Sequence, residues 1–385
     1  MAKSTPSTTP PPCTMTRTIH PVGQGAFYSE EFFNNSDKKK VLFTTVYDCG
    51  RQRAFGKKSD TLLSSRIKEI DCVDLLFISH FHEDHINGVE ELLENNRKHS
   101  HEAKIVIPGV SQFRFVVDLL SNYARTGDKD CDSIKFMLRC LSALNSQKTN
   151  LPTIENSCQS RPKTEGKIIA LSPSDSRAVL ERPFCWCYDV FYNEQASSKE
   201  KEIIEALSDR IPLLSKVLSA PDKYQDRKWY EHFLAELSKL ELSGRITIDN
   251  IKQAFTDVFG KLHNAYSMLV YSHPVNEQYG RCGCLYTGDA EPPAVINALN
   301  SLRPIIPNYI QVPHHGSDNN HDPNIYSRRP IALISVGQNS PFNHPGCKTL
   351  VDLIQKCHFV HIVTEVEETE YKWRFPFGCI AKSVV

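Results

Sequence analysis

The sequence predicts an α/β fold in which strands and amphipathic helices are stacked in layers, and three observations carry that expectation. Short apolar runs such as LLFIS and KIVIP recur along the chain, and several are followed by segments with an apolar residue every three or four positions. The apolar fraction is 40% and the charged fraction 23%, the balance of a globular chain with a core to bury. At 385 residues the chain is long enough for one large domain of this kind or two ordinary ones.

In chain order, strands are expected at TRTIHPV, AFYSEEFF and KKVLFTTVYDCG, all rich in β-branched and aromatic residues. CVDLLFISH follows as an apolar strand. From Ile86 the period changes, with Ile86, Val89, Leu92 and Leu93 on one helical face and Glu90, Glu91 and Glu94 on the other. KIVIPG is a short buried strand. SQFRFVVDLLSNYA and SIKFMLRCLSALNS read as amphipathic helices, 147–166 as a polar loop, and GKIIALSPS as a strand running into a turn. Residues 196–260 carry helical spacing almost throughout and are expected to be a helical insertion into the α/β body. Strands return at SMLVYSH, CGCLYTGD, YIQVPHHGS and PIALISVG, separated by the helical pieces PPAVINALNSL and KTLVDLIQKC.

Lys+Arg and Asp+Glu balance at 45 each, so no global basic field marks a nucleic-acid partner, although a local groove can hide within a neutral total. No apolar run reaches the roughly 18–20 residues that cross a bilayer, and no membrane association is expected. The opening stretch MAKSTPSTTPPPCTMT has no apolar core of a secretion signal and reads as a flexible arm, residues 1–15, ahead of a single domain over 16–385. The 13 cysteines include no CxxC pair and fall mostly in apolar segments, so reduced core cysteines and a cytoplasmic location are expected.

The chemistry is concentrated in SHFHEDH, where His80, His82, Asp84 and His85 fall within six positions behind an apolar run. On a strand, positions 80 and 82 share a face, so their imidazoles can converge on one ion, while Asp84 and His85 sit where the chain turns into a helix and can reach a second. Imidazole nitrogen and carboxylate oxygen are the donors of catalytic Zn²⁺ or Mn²⁺ sites, whereas structural zinc favours the thiols that this cluster lacks. Further candidates stand at the ends of other strands: Asp289 in YTGD, placed to bridge two metals; His314 and His315 in VPHHGS, either of which can lie behind the other; and Asp48 in VYDCG, placed to hold a ligand histidine from behind. Chemistry gathered at strand ends is what a layered α/β site requires.

With these motifs in hand the chain resembles the metallo-β-lactamase superfamily. HPVGQGAFY, VYDCG, ALSPSDS, NAYSMLV, HHGS and ISVGQNSPFNHP follow one another as in the soluble metallo-hydrolase domain of ComEC-type competence proteins and their stand-alone relatives. The similarity covers roughly residues 16–110, 167–175 and 262–365 and leaves the helical insertion outside. The resemblance implies a four-layer αββα sandwich, a dinuclear site of two divalent ions (zinc first, manganese second) and phosphodiester hydrolysis. Carried over residue by residue, it implies that His80 and His82 hold one metal, that Asp84 and His85 hold the other, that Asp289 bridges and that His314 and His315 complete the set. It also implies that Asp84 takes part in catalysis, that His344 in NHP binds substrate or donates a proton, and that Asn264 positions substrate or a loop. Two departures stand out: the region before the YTGD strand offers only His263 where many members have a further ligand histidine, and Ala26 follows VGQG where relatives commonly have an acid.

The basic run GRQRAFGKKSD puts Arg51, Arg53, Lys57 and Lys58 in one loop, suited to a phosphate backbone if that loop borders the metal edge. The expected activity is therefore a metal-dependent phosphodiesterase or nuclease that cuts DNA or RNA without reading bases. The alternatives are a hydrolase of a small phosphodiester or ester, and an effector subunit, for instance in defence against phage, whose helical insertion docks a controlling protein partner.

Overall fold

The computed structural model describes residues 13–34, 37–52, 61–109, 131–146, 168–171, 178–180, 186–191, 266–274, 282–338 and 342–377, with isolated positions between 115 and 126 and at 340. The expected arm up to residue 12, the helical insertion 196–260, Arg53, Lys57, Lys58, His263 and Asn264 lie outside the described residues.

In chain order the strands and helices are β1 (Cys13–Ile19), β2 (Phe27–Asn34), β3 (Asp37–Cys49), α1 (Thr61–Ile67), β4 (Leu75–Phe77), α2 (Glu83–Ile86), α3 (Val89–Lys98), β5 (Lys104–Pro108), α4 (Asp132–Ser146) and β6 (Ile168–Leu171). They continue with β7 (Ala178–Leu180), β8 (Trp186–Phe191), β9 (Leu269–Pro274), β10 (Cys284–Tyr286), α5 (Pro292–Ser301), β11 (Tyr309–Gln311), β12 (Ile331–Ser335), α6 (Cys347–Lys356), β13 (Phe359–Val363) and β14 (Tyr371–Phe377). The strands form two seven-stranded sheets, ordered β14-β1-β2-β3-β4-β5-β6 and β13-β12-β11-β10-β9-β8-β7. Each sheet is antiparallel in one half and parallel in the other: β3 to β6 run parallel in the first, β10 to β13 in the second. Parallel neighbours need a crossover, and the helices supply it; α2 and α3 connect β4 to β5, α5 connects β10 to β11, and α6 connects β12 to β13.

The sheets pack face to face. Met15, Tyr28, Phe32, Tyr47 and Phe77 of the first meet Trp186, Tyr188, Val270 and Tyr286 of the second in one apolar cluster. On the outer face of the second sheet, Leu269, Leu285, Ile310 and Ile334 pack against Ala294, Val295 and Ala298 of α5 and Leu353 of α6. Helix α3 likewise buries Val89, Leu92 and Leu93, the stripe that the helical period picks out. The result is the expected four-layer αββα sandwich.

Between the sheets lies a charged pair that the sequence pattern does not announce. Met15, Arg17 and Ile19 share the inward phase of β1, and Tyr28, Glu30 and Phe32 that of β2, so both charges are buried. Arg17 donates from Nη2 (2.7 Å) and Nε (3.0 Å) to Glu30 Oε1 and from Nη1 to the Cys282 carbonyl (2.9 Å). Ser272 Oγ donates to Glu30 Oε2, and the Tyr286 hydroxyl to Glu30 Oε1 (2.9 Å). With each partner satisfied, the pair tolerates burial that would be prohibitive for either charge alone.

Some elements differ from expectation. The strand expected at CVDLLFISH is only Leu75–Phe77, and the helix expected from Ile86 is two helices, broken at Asn87–Gly88. β1 begins at Cys13, inside the stretch expected to be an arm, because its register with β14 starts there, Cys13 opposite Phe377. β7, β13 and β14 are strands that the sequence pattern does not announce. Nine of the described cysteines, Cys49 to Cys357, are free thiols, and among the described residues no helix is long and apolar enough to cross a membrane.

Candidate metal centre

The functional side chains collect at the C-terminal ends of β3, β4, β10, β11 and β12, where the parallel halves of both sheets open onto one edge. His80 and His82 stand in the loop between β4 and α2, not on a strand as expected, yet His80 Nε2 and His82 Nδ1 approach to 2.9 Å. Asp84 and His85 lie in α2. That short helix can sit so close to β3 because Gly50 leaves room: a Cβ there would lie 2.5 Å from the backbone of Asp84 and His85. The Ala26 amide, following the VGQG turn, donates to the Asp84 carbonyl (3.0 Å), which tethers the loop from the other side.

Asp289 reaches the site through the Gly288 turn, whose positive φ of 52° and close approach to Ser79 suit glycine. His314 and His315 occupy left-handed conformations (φ 48° and 54°), sparsely populated for residues with a Cβ and characteristic of functional sites. The carboxylate of Asp289 divides its two oxygens between two groups. Oδ2 lies 3.7 Å from His80 Nε2 and 3.6 Å from His314 Nε2; Oδ1 lies 3.3 Å from His85 Nε2 and 3.9 Å from His315 Nε2. His315 Nε2 is also 3.6 Å from Asp84 Oδ2. Donors bound to one tetrahedral zinc stand about 3.3 Å apart, given bonds of about 2.0–2.1 Å, so these separations suit ligands around an ion.

The residues behind this cluster decide where the imidazole lone pairs point. His85 Nδ1 donates to Asp48 Oδ2 (2.8 Å) and His315 Nδ1 to the Ser335 carbonyl (2.8 Å). His80 Nδ1 lies 2.9 Å from Ser79 Oγ, which itself donates to Asp48 Oδ2 (2.6 Å). With each Nδ1 engaged from behind, Nε2 is the nitrogen that faces inward. His85 Nε2, His315 Nε2 and Asp289 Oδ1 are buried and make no hydrogen bond. Buried polar atoms without partners are costly unless something fills the gap between them. Three such atoms of N and O type, aimed at common points, fit divalent metal ions.

The electrostatics agree. Burial alone would lower His85, but Asp289 and Asp48 hold it well above the usual imidazole range. Burial likewise opposes the charged form of Asp289, yet His314, His85 and His80 keep it well below the usual carboxylate range. His315 is raised against its burial by Asp84 and Asp289, while burial and the neighbouring His85 and His82 lower His80. The field around Asp289 therefore favours added positive charge.

His344 joins the same edge, its ring 5.2 Å from His314 and 6.3 Å from His315. Burial, with His314 and His315 beside it, lowers His344 to about 4, so at neutral pH it is an uncharged imidazole. Gln24 of the VGQG turn places its amide nitrogen 3.4 Å from His344 Nδ1. Phe342, not singled out from the sequence, is 49% exposed at the rim with its ring 5.8 Å from His344. Of the basic loop, Arg51 is described: it follows Gly50 directly, and its amide is held by Asn87 Oδ1 (2.9 Å), next to the α2 ligands. The alternation of aromatic, proline and histidine in SPFNHP was the available signal for Phe342; nothing local marked Ser79 or Gln24 as supporting residues.

Residues 38–117 match the family model of the metallo-beta-lactamase superfamily. Over that stretch the chain is similar to the metallo-β-lactamase superfamily. The matched stretch covers β3 through the histidine loop to β5, and with the ligand cluster it supports membership of that superfamily and a metal-dependent hydrolase. Among solved structures, the metallo-beta-lactamase fold protein YhfI from Bacillus subtilis is similar at 9% identity and a TM-score of 0.43, over 94% of this chain and 99% of that one. A mutant of the CmlA beta-hydroxylase is similar at 9% identity and a TM-score of 0.41, over 97% of this chain and 55% of that one. No curated protein sequence matches the chain.

Proposed function

We propose that the chain is a phosphodiesterase acting on nucleic acid, using two divalent metal ions held around Asp289, zinc or alternatively manganese. The observation that carries the reading is the division of the Asp289 carboxylate, with Oδ2 facing His80 and His314 and Oδ1 facing His85 and His315. Such a division suits a carboxylate shared by a pair of ions. His82 extends the first group through its approach to His80, and Asp84 extends the second. When bound, such a pair supplies Lewis acidity to a phosphoryl oxygen and a lowered pKa for water.

The chain's own residues supply orientation. Asp48 and Ser79 hold the ligand imidazoles in one tautomer. The Gln24 amide can donate to His344 Nδ1, which turns the other N–H of His344 toward a substrate oxygen. A ring kept neutral by burial is suited to hydrogen bonding and poorly suited to storing a proton, so substrate binding is the role favoured for His344. Phe342, exposed beside it, offers a face on which a base can stack, and stacking is indifferent to base identity. Arg51, at the start of the basic run and adjacent to the metal edge, is placed to meet a backbone phosphate; Arg53, Lys57 and Lys58 are proposed to bind substrate phosphate as well, and Asn264 to position substrate or a loop.

The test is cleavage of single- and double-stranded DNA and RNA, with a bis-aryl phosphodiester alongside, by wild type and Asp289→Ala. Nucleic-acid cleavage lost with chelator and in the variant is the expected result. Cleavage of the small diester alone would restrict the activity to small molecules. Metal binding without cleavage of either would overturn the phosphodiesterase reading for the isolated chain.

A further inference from the structure

A second set of metal-binding side chains meets away from Asp289, built from residues 20, 69 and 370. The register of β1 with β14 pairs Ile19 with Tyr371, so continuing it by one residue sets His20 beside Glu370. Glu69 comes from the turn that follows α1. The ligand atoms of His20, Glu69 and Glu370 lie within 4.8 Å of one another.

The imidazole is the informative member. Its ring stacks on Phe27 at 4.1 Å, and Nε2 is anchored 2.8 Å from Ser29 Oγ, so its orientation is fixed by the core of the first sheet. His20 is 3% exposed, and Nδ1, the ring nitrogen not engaged by Ser29, makes no hydrogen bond. When Nε2–H donates to Ser29, Nδ1 carries a buried, unpartnered lone pair in a ring whose ligand atoms lie within 4.8 Å of two carboxylates, an arrangement that a cation between them would satisfy. The ring does not provide one: burial, with Lys372 and Arg66 nearby, lowers His20 to about 3.

The neighbouring charges leave room for an ion. Arg66 Nη1 donates to Glu69 Oε1 (2.7 Å) and comes within 3.8 Å of Glu367, leaving Glu69 Oε2 unused by that pair. Burial raises the carboxyl of Glu370; Lys372 and Arg66 oppose the rise, while Glu69 and Glu367 add to it. Three carboxylates thus stand against two fixed cations. Glu69 is 44% exposed, so an ion can enter from solvent.

We propose that His20 Nδ1, Glu69 and Glu370 bind one divalent metal ion at a site that shares no residue with the Asp289 cluster. One imidazole and two carboxylates are a donor set for zinc; calcium and magnesium favour oxygen alone. The ion would join β1, the turn after α1 and the start of β14, so its role is to clip distant parts of the chain together.

The experiment measures zinc per chain by mass spectrometry on the full-length protein after equilibration with zinc and dialysis. Wild type, Glu69→Gln/Glu370→Gln, His85→Gln/Asp289→Asn and the combination of all four substitutions are compared, with circular dichroism as a check on folding. Loss of about one equivalent between wild type and the glutamine pair, repeated between the cluster variant and the four-fold variant, is the expected result. The readout is a difference, so it stands whether the Asp289 cluster itself holds two ions, one or none. Equal zinc in wild type and a folded glutamine pair overturns the proposal. His20→Gln gives a second route, and retention of the full zinc content in that variant, folded, overturns it as well.

Discussion

Asp48 has both carboxylate oxygens engaged by Ser79 and His85, behind the ligand cluster, and so decides the tautomer of His85 and, through Ser79, of His80. Asp48→Ala is therefore expected to lower zinc affinity by about 10–100-fold, read by competition with a chromophoric chelator. His344 gives a pH prediction. Its folded value of about 4 lies below the ordinary 6.5, so the unfolded chain takes up a proton first as pH falls. The stability this residue contributes is present above about 6.5 and is lost as pH falls toward 4. The stability gap between wild type and His344→Gln should narrow over that window in urea titrations. At this scale much of the site was legible from sequence. The HxHxDH spacing and the strand-end Asp289, His314 and His315 name the side chains that the structure gathers into one cluster, with neighbouring pairs at 2.9–3.9 Å. Ser79 and Gln24 were not legible, because a serine and a glutamine look the same in sequence whether or not a ligand stands in front of them.

Among the elements, the parallel strands were plain because they are buried on both faces and read as continuous apolar runs, as in LLF and KIVIP. The strands missed are edge strands. β13 and β14 close the two sheets on one side, and Phe359, Ile362 and Trp373 remain 40–58% exposed there, so no burial pattern marks them. The Arg17–Glu30 pair shows the opposite failure, since charges in an inward phase look like solvent-facing positions. Arg17→Met leaves Glu30 buried without its partner and is expected to cost about 3–5 kcal/mol in chemical denaturation, with much of that recovered in Arg17→Met/Glu30→Met. Equal losses in the single and double variants would show that the surrounding Tyr286 and Ser272 network carries the stability and not the pair.

At the level of the molecule, the ligand set spans both sheets: His80 to His85 come from the first, Asp289, His314 and His315 from the second. Binding an ion to such a set ties the two halves of the sandwich together. Chelation should lower the melting temperature, and zinc at a hundred times its dissociation constant should return about 2.7 kcal/mol. Asp289→Ala should show a much smaller response to zinc in the same scan. A shift of equal size in wild type and variant would place the stabilising ion elsewhere, with His20, Glu69 and Glu370 the first residues to examine.

The amino-acid sequence by itself determined the α/β class, the layered order of buried strands and amphipathic helices, and the identity of the donor side chains, because periodicity and donor chemistry are local properties. Tertiary structure alone decided how the Asp289 oxygens are shared, which imidazole nitrogen faces inward, that Arg17 and Glu30 are buried together, and that His20 meets Glu69 and Glu370. Most of these depend on distances between residues a dozen to hundreds of positions apart, and such distances are set by sheet register and by close backbone approach at positions such as Gly50, not by any pattern along the chain.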